Sequence, residues 1–140
     1  MNGPNSICFR PIGVVRNGFD RPAEKDLIAA EVSELEIYSP FRAGLAGAAP
    51  GQKILVLYYF HLAEGEAPLQ QHPRGDQNKP RRGVFLLRSP ARPNRIGATE
   101  VSVEGVTEGG LTVRGLDALN GSPILDIKVV DSRPRPADSG

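Results

Sequence analysis

Cysteine is nearly absent from this 140-residue chain: Cys8 stands alone, so neither an intrachain disulfide nor a thiolate-rich zinc site can form. The longest apolar run, Ile54 to Phe60, falls far short of the ~20 residues that cross a bilayer as a helix. The opening Met1-Asn2-Gly3-Pro4-Asn5-Ser6 is polar and turn-prone, without the basic-then-apolar order of a secretory leader. No Gly-x-Gly-x-x-Gly follows a strand and no Walker loop occurs, so a dinucleotide or ordinary methyltransferase Rossmann loop has no support. His61 and His72 lack metal-ligand spacing, and no serine sits on a Gly-x-Ser-x-Gly elbow. These absences predict a cytoplasmic chain in a reducing compartment, with no metal and no membrane partner.

What is present predicts one all-β domain. Apolar residues make up 39% of the chain, an ordinary share for a single core. They alternate or cluster in short runs bounded by Gly, Pro, Asn and Ser, the pattern of strands rather than helices. The expected strands are Ile12–Arg16, Glu34–Tyr38, Lys53–His61, Gly83–Arg88, Glu100–Thr107, Leu111–Leu116 and Ile124–Val129. Lys53–His61 is continuously apolar at its centre and reads as buried on both faces. Glu108-Gly109-Gly110 and Asn120-Gly121 are turn signals. Helical expectations are limited to Ala23–Glu36 and to Phe41–Ala49, the latter with Ser39 as N-cap and Pro40 in the first turn. Short strands without alternating long helices predict a compact, closed or partly closed β-barrel with one or two short helices. Its core is expected over about residues 9–130, with a frayed tail over 131–140.

Charge is unevenly spread. Between His72 and Arg95 lie seven Lys or Arg against the single acid Asp76, a window of +6. The remainder holds ten basic and fifteen acidic residues, −5. Such a block attracts a polyanion, although a solvated arginine-rich loop accounts for it equally well.

Two segments carry possible chemistry. In Gly83–Gly97 a strand runs into a loop braced by Pro90 and Pro93, bearing Arg88, Arg92, Arg95 and Asn94. Proline limits the loop's freedom, and the planar guanidinium fork matches a carboxylate or phosphate. In Gly115–Lys128 a turn dense in backbone donors leads into a strand, with Asp126 and Lys128 on one face. The plainer account of both is a proline-rich turn and an Asn-Gly hairpin with surface salt bridges.

Together these segments resemble the tRNA threonylcarbamoyladenosine N6-methyltransferase family, the TsaA-like or YaeB-like domain. That family is marked by Gly-Val-Phe-x-x-Arg-Ser-x-x-Arg-Pro-Asn-Pro-Ile-Gly and a later Asp-Gly-Thr-Pro-x-x-Asp-Ile-Lys. Ile12–Arg16 resembles its opening strand, Tyr59-Phe60-His61 the end of its central strand, and His72–Asp76 the loop that follows. The resemblance runs from about Phe9 to Lys128 and implies a β-barrel that binds S-adenosylmethionine and works as a homodimer, with the site near the interface. It places the cofactor at His61, Leu62, Arg88, Ala98, Asp117, Ala118, Leu119 and Asn120. Arg88 would hold the methionine carboxylate and Asp117 the ribose hydroxyls, while backbone groups at Ala118–Asn120 would read the adenine edge. Leu62 and Ala98 would contribute shape. The sequence departs from the pattern at Asn120 (often Asp), at Arg95 (Pro), and at Val129-Val130 (Pro-Tyr). It also lacks a Pro-Arg-Gln segment after the first strand and the additional C-terminal domain of typical bacterial members.

The implied reaction moves a methyl group from a sulfonium to the exocyclic amine of an adenosine beside the tRNA anticodon, an in-line displacement governed by alignment. Asp126 and Asn94 are candidates for orienting or deprotonating that amine, though Asp126 fits a structural pair with Lys128 at least as well. Arg74, Arg81, Arg82, Arg92 and Arg95 are candidates for phosphate contacts with tRNA. Two alternatives stay open: a methyltransferase of the same fold with a small-molecule acceptor, and a non-catalytic module that binds S-adenosylmethionine or RNA.

Overall fold

Period-two burial is what turns these short apolar runs into a barrel. In the computed structural model, which describes residues 5–21, 27 and 30–130, eight strands form. They are β1 (Gly13–Arg16), β2 (Val32–Ile37), β3 (Lys53–Tyr59), β4 (Gln70–Gln71), β5 (Arg82–Gly83), β6 (Ile96–Thr107), β7 (Gly110–Arg114) and β8 (Pro123–Val129). Six of them close in the order β1-β2-β7-β6-β3-β8, all antiparallel, and β8 returns to β1. The two remaining strands, β4 and β5, pair with each other outside the ring.

Inward residues of every barrel strand fill the centre. Val15, Leu35, Ile37, Val56, Tyr58, Val101, Val103, Leu111, Val113 and Ile124 are buried in one cluster. Each side chain of this size contributes about 1.5–3 kcal/mol on leaving water. The connection from β7 to β8 crosses one end of the barrel and plugs it with Leu116, Ala118 and Leu119.

Closure explains where the fold departs from expectation. Gly83–Arg88 is not a long strand: only Arg82–Gly83 pairs, and Val84–Leu86 follows as a 3-10 turn. Both edges of β3 are taken, by β6 and β8, so a further strand finds no free ladder. β6 starts four residues earlier than expected because β3 pairs with it as far as Tyr59 opposite Ile96. β3 itself ends at Tyr59 and is not buried on both faces. Ile54, Val56 and Tyr58 point inward, while Leu55 and Leu57 are half-buried outside.

The expected helix Ala23–Glu36 is corrected over its second half. Ser33, Leu35 and Ile37 alternate inward along β2, and this period of two overrides the helical composition. Its first half lies largely outside the described residues, as does the tail 131–140. The expected helix at Phe41–Ala49 is a 3-10 stretch over Ser39–Leu45, with Tyr38 rather than Ser39 at the N-cap position, no side-chain cap bond, and Pro40 in the first turn. The Glu108-Gly109 hairpin and the Asn120-Gly121 turn form as read, with Gly121 at φ 88°.

Candidate functional site

One end of the barrel gathers the sequence's two notable segments. There the end of β3, the start of β6, the β7–β8 strap and the proline-braced arginine loop converge on two cavities. The first, about 310 Å³, is lined by Phe60, His61, Leu62, Ala63, Glu64, Pro90, Ala91, Asp117, Ala118, Leu119 and Ser122. The second, about 370 Å³, is lined by Tyr58, Phe60, Leu87, Arg88, Arg92, Ile96, Gly97, Ala98, Thr99, Gly115 and Asp117. The first wall is mostly apolar and the second carries two guanidiniums. Phe60 and Asp117 belong to both.

Asp117 is held from inside the barrel. The Tyr58 hydroxyl donates to its Oδ1 at 2.7 Å and the Thr99 hydroxyl donates to the same oxygen at 2.8 Å. Burial and the adjacent Asp117 carboxylate push the Tyr58 phenol well above the usual tyrosine range, so it stays a donor. Gly97 makes room for this arrangement. A Cβ there would lie 2.6 Å from the Tyr58 ring and 2.8 Å from the Phe60 ring. Those two rings meet edge-on, their centroids 5.3 Å apart.

Arg88 stands in the second cavity. Its Nη1 donates to the Ala98 carbonyl at 3.2 Å, and among the described residues no acid forms an ion pair with it. A guanidinium has five N–H donors, so most of this one's remain free for a ligand. The neighbouring arginines are differently engaged. Arg92 donates to the carbonyls of Leu87 and Ser89, closing the loop on itself. Arg95 donates to the carbonyls of Ala63 and Gly65 and so ties down the segment that carries Glu64. Gln71 of β4 bonds the Ala91 carbonyl at 2.7 Å and accepts from Ser89 at 2.7 Å, clamping the loop from the far side.

His61 faces Ser122 across the first cavity, with Nδ1 3.4 Å from Oγ. Ser122 donates its own proton to the Leu119 carbonyl at 2.7 Å, so any bond between the two runs from His61 Nδ1–H to the serine oxygen. Asn120 points the other way. Its Oδ1 accepts from the Asn17 backbone at 3.0 Å and its Nδ2 donates to Asp20 at 3.1 Å, pinning the loop after β1.

Comparison with known proteins gives the family. The profile described as tRNA-methyltransferase O N-terminal domain matches residues 14–132. The chain belongs to that family. It is 44% identical over 126 residues to a probable S-adenosyl-L-methionine-binding protein of Methanothermobacter thermautotrophicus, covering 87% of this chain and 88% of the relative. It is 41% identical to an S-adenosyl-L-methionine-binding protein of Archaeoglobus fulgidus, with the same coverage. Its fold superposes on the crystal structure of TrmO from Pseudomonas aeruginosa with a TM-score of 0.67 and 30% identity, covering 96% of this chain and 64% of that one.

Within this member of the family, the structure brings together seven of the eight residues that the resemblance assigns to the cofactor. His61, Leu62, Ala118 and Leu119 line the first cavity, Arg88 and Ala98 the second, and Asp117 both; Asn120 alone lines neither. Asp126 lies on β8 off both walls, its Oδ2 3.1 Å from Lys128 Nζ, and Asn94 is an exposed loop residue that also lines neither. Among the basic candidates, Arg74, Arg81 and Arg82 are exposed, and Arg92 and Arg95 hold loop carbonyls. Sequence reasoning passed over Tyr58, Thr99 and Glu64. A phenol at an inward position of an apolar strand requires a buried acceptor, and that signal marks Tyr58. Among the described residues, no helix is long and apolar enough to cross a membrane, and no group of three His, Cys, Asp or Glu is placed to hold a metal.

Proposed function

We propose that this domain binds S-adenosylmethionine across the two cavities and transfers its methyl group to N6 of a modified adenosine beside the tRNA anticodon. One observation carries the reading: Asp117 stands between an apolar cavity and one holding Arg88, a guanidinium with no acid partner among the described residues. The ligand's parts fit these walls. A purine suits the apolar side with Leu62, Ala118 and Leu119, a ribose the carboxylate, and an amino-acid carboxylate the Arg88 fork. The cofactor, when bound, supplies an electrophilic methyl group on a sulfonium. The chain's own residues bind and orient: Arg88 and Asp117 fix the two ends of the polar stretch, and the strap excludes water from the barrel side. Alignment of this kind supplies most of the acceleration in a displacement with a good leaving group. Of the groups able to take the amine's proton, Glu64 and His61 line the apolar cavity. Asp126 and Asn94, off both walls, would act only from outside it.

The exposed Arg74, Arg81 and Arg82 support tRNA as the acceptor, since guanidiniums on one arm engage phosphates without reading sequence. Two copies working together in the cytoplasm complete the reading. Its support is the exposed apolar Leu69, Phe85 (75%) and Leu86 (71%) beside the arginine loop, a surface a second copy would cover. A small-molecule acceptor is favoured by one fact, that the archaeal relatives of similar length are named for the cofactor alone. Incubation with labelled S-adenosylmethionine and tRNA from a strain lacking the gene, then digestion and mass spectrometry, separates these. A methyl group on an anticodon-loop adenosine is expected, from a particle of two chains by light scattering. Turnover to S-adenosylhomocysteine that appears only when a small-molecule cell extract is added, with the tRNA left unlabelled, selects the second reading, and no turnover with either acceptor removes both.

A further inference from the structure

Tyr58 is among the largest buried side chains, 2% exposed, and its hydroxyl nevertheless serves a group on the cavity wall. Two protons reach Asp117 Oδ1 from the barrel interior, one from β3 through Tyr58 and one from β6 through Thr99, whose oxygens lie 3.2 Å apart. These strands are hydrogen-bonded neighbours, with Tyr58 paired to Gly97 and Val56 to Thr99, so the two donors sit at fixed separation. A carboxylate bound this way cannot exchange its oxygens without breaking both bonds. Its other oxygen, Oδ2, makes no hydrogen bond among the described residues. No buried side-chain nitrogen or oxygen among them lacks a partner, so Oδ2 is open to the cavities that Asp117 lines.

The geometry points to Tyr58 and Thr99 as positioning residues that aim Asp117 Oδ2 at the vicinal hydroxyls of a nucleoside's ribose, making the site selective for ribo- over deoxyribo-ligands. This rests on the S-adenosylmethionine reading above. An oxygen with two free lone pairs accepts both hydroxyls of a cis-diol, and a site built to bond a hydroxyl rejects an analogue that lacks it. Burial and the adjacent carboxylate raise the phenol, so Tyr58 keeps its proton and donates it to Asp117 through the neutral range.

Calorimetry on the full chain, with S-adenosylhomocysteine and its 2′-deoxy analogue as probes, tests the assignment. The unaltered protein is expected to prefer the ribo-ligand by about tenfold or more, the worth of one bond to a charged acceptor. Tyr58→Phe and Thr99→Val should each weaken the ribo-ligand several-fold and leave the deoxy-ligand nearly unchanged, so that the ratio collapses. Thr99→Ser, which keeps the hydroxyl, should restore it. A purely structural role would weaken both ligands alike and keep the ratio, which overturns the proposal. Where Tyr58→Phe does not fold, the two Thr99 variants decide. Binding of both probes with equal affinity by the unaltered protein removes the ribose assignment only; binding of neither removes the cofactor reading as well.

Discussion

Arg88 reaches its cavity on a loop whose every other charged contact is internal. Arg92 and Arg95 hold carbonyls of the chain, so their guanidiniums brace the loop while that of Arg88 remains available. Arg88→Ala should therefore weaken S-adenosylmethionine about tenfold to a hundredfold, the range for a charge-assisted bond to a carboxylate. Arg88→Lys should recover only part of this, because an ammonium keeps the charge and loses the bidentate fork. Titration calorimetry with the thermal midpoint as control reads both, and an unchanged Kd in folded Arg88→Ala takes Arg88 out of the site. Two departures from the family pattern also acquire reasons at this scale. Arg95 adopts φ 52°, a left-handed conformation closed to the proline that the pattern has there, and from it reaches back across the chain to Gly65. Asn120 donates to Asp20, a contact that an aspartate at position 120 would turn into repulsion.

At the scale of the element, β6 is the strand that makes the site possible, and Gly97 is its critical position. The Tyr58 and Phe60 rings lie where any Cβ at 97 would be, so Gly97→Ala must push the phenol away from Asp117. Overpacking of this kind costs about 1–3 kcal/mol. The expected result is a lowered thermal midpoint together with weaker S-adenosylhomocysteine binding. A variant with unaltered midpoint and affinity would mean that the rings move freely and that β6 does not set the site. This dependence also marks what the sequence made legible. Strands with strict alternation, such as Glu34–Ile37 and Leu111–Arg114, could be read because one face must be buried whatever lies around them. Gly83–Arg88 could not, since whether an apolar run finds a ladder depends on edges formed elsewhere, and the closed ring has none to offer. The positions that the resemblance assigns to the cofactor stand in motifs, whereas Tyr58 and Thr99 reach the cavities through another residue and sit 41 positions apart in the chain. Only the folded register of β3 on β6 brings them together.

Across the whole molecule, positive charge is left over at one place once the fold has used what it needs. The seven basic residues between His72 and Arg95 divide in three. Arg88 lines the second cavity and Arg92 and Arg95 hold backbone carbonyls, whereas Arg74, Lys79, Arg81 and Arg82 are exposed on or beside the small β4–β5 sheet. That sheet stands outside the barrel and is joined to the site through Gln71, so an anion bound there lies on the same side as the arginine loop. Association with tRNA should thus be electrostatic, with log K falling linearly in log salt. Each phosphate contact contributes about 0.7 to 0.9 to the slope. Replacing Arg81 and Arg82 together by alanine should lower that slope by between about 1 and 2 and weaken binding at low salt, while S-adenosylmethionine affinity stays as it was, because neither residue lines a cavity. Filter binding of tRNA across a salt series checks this. A slope equal to that of the unaltered protein would mean that the arm does not meet phosphate, and the acceptor would then have to be reached by a surface other than the one where the fold leaves its positive charge.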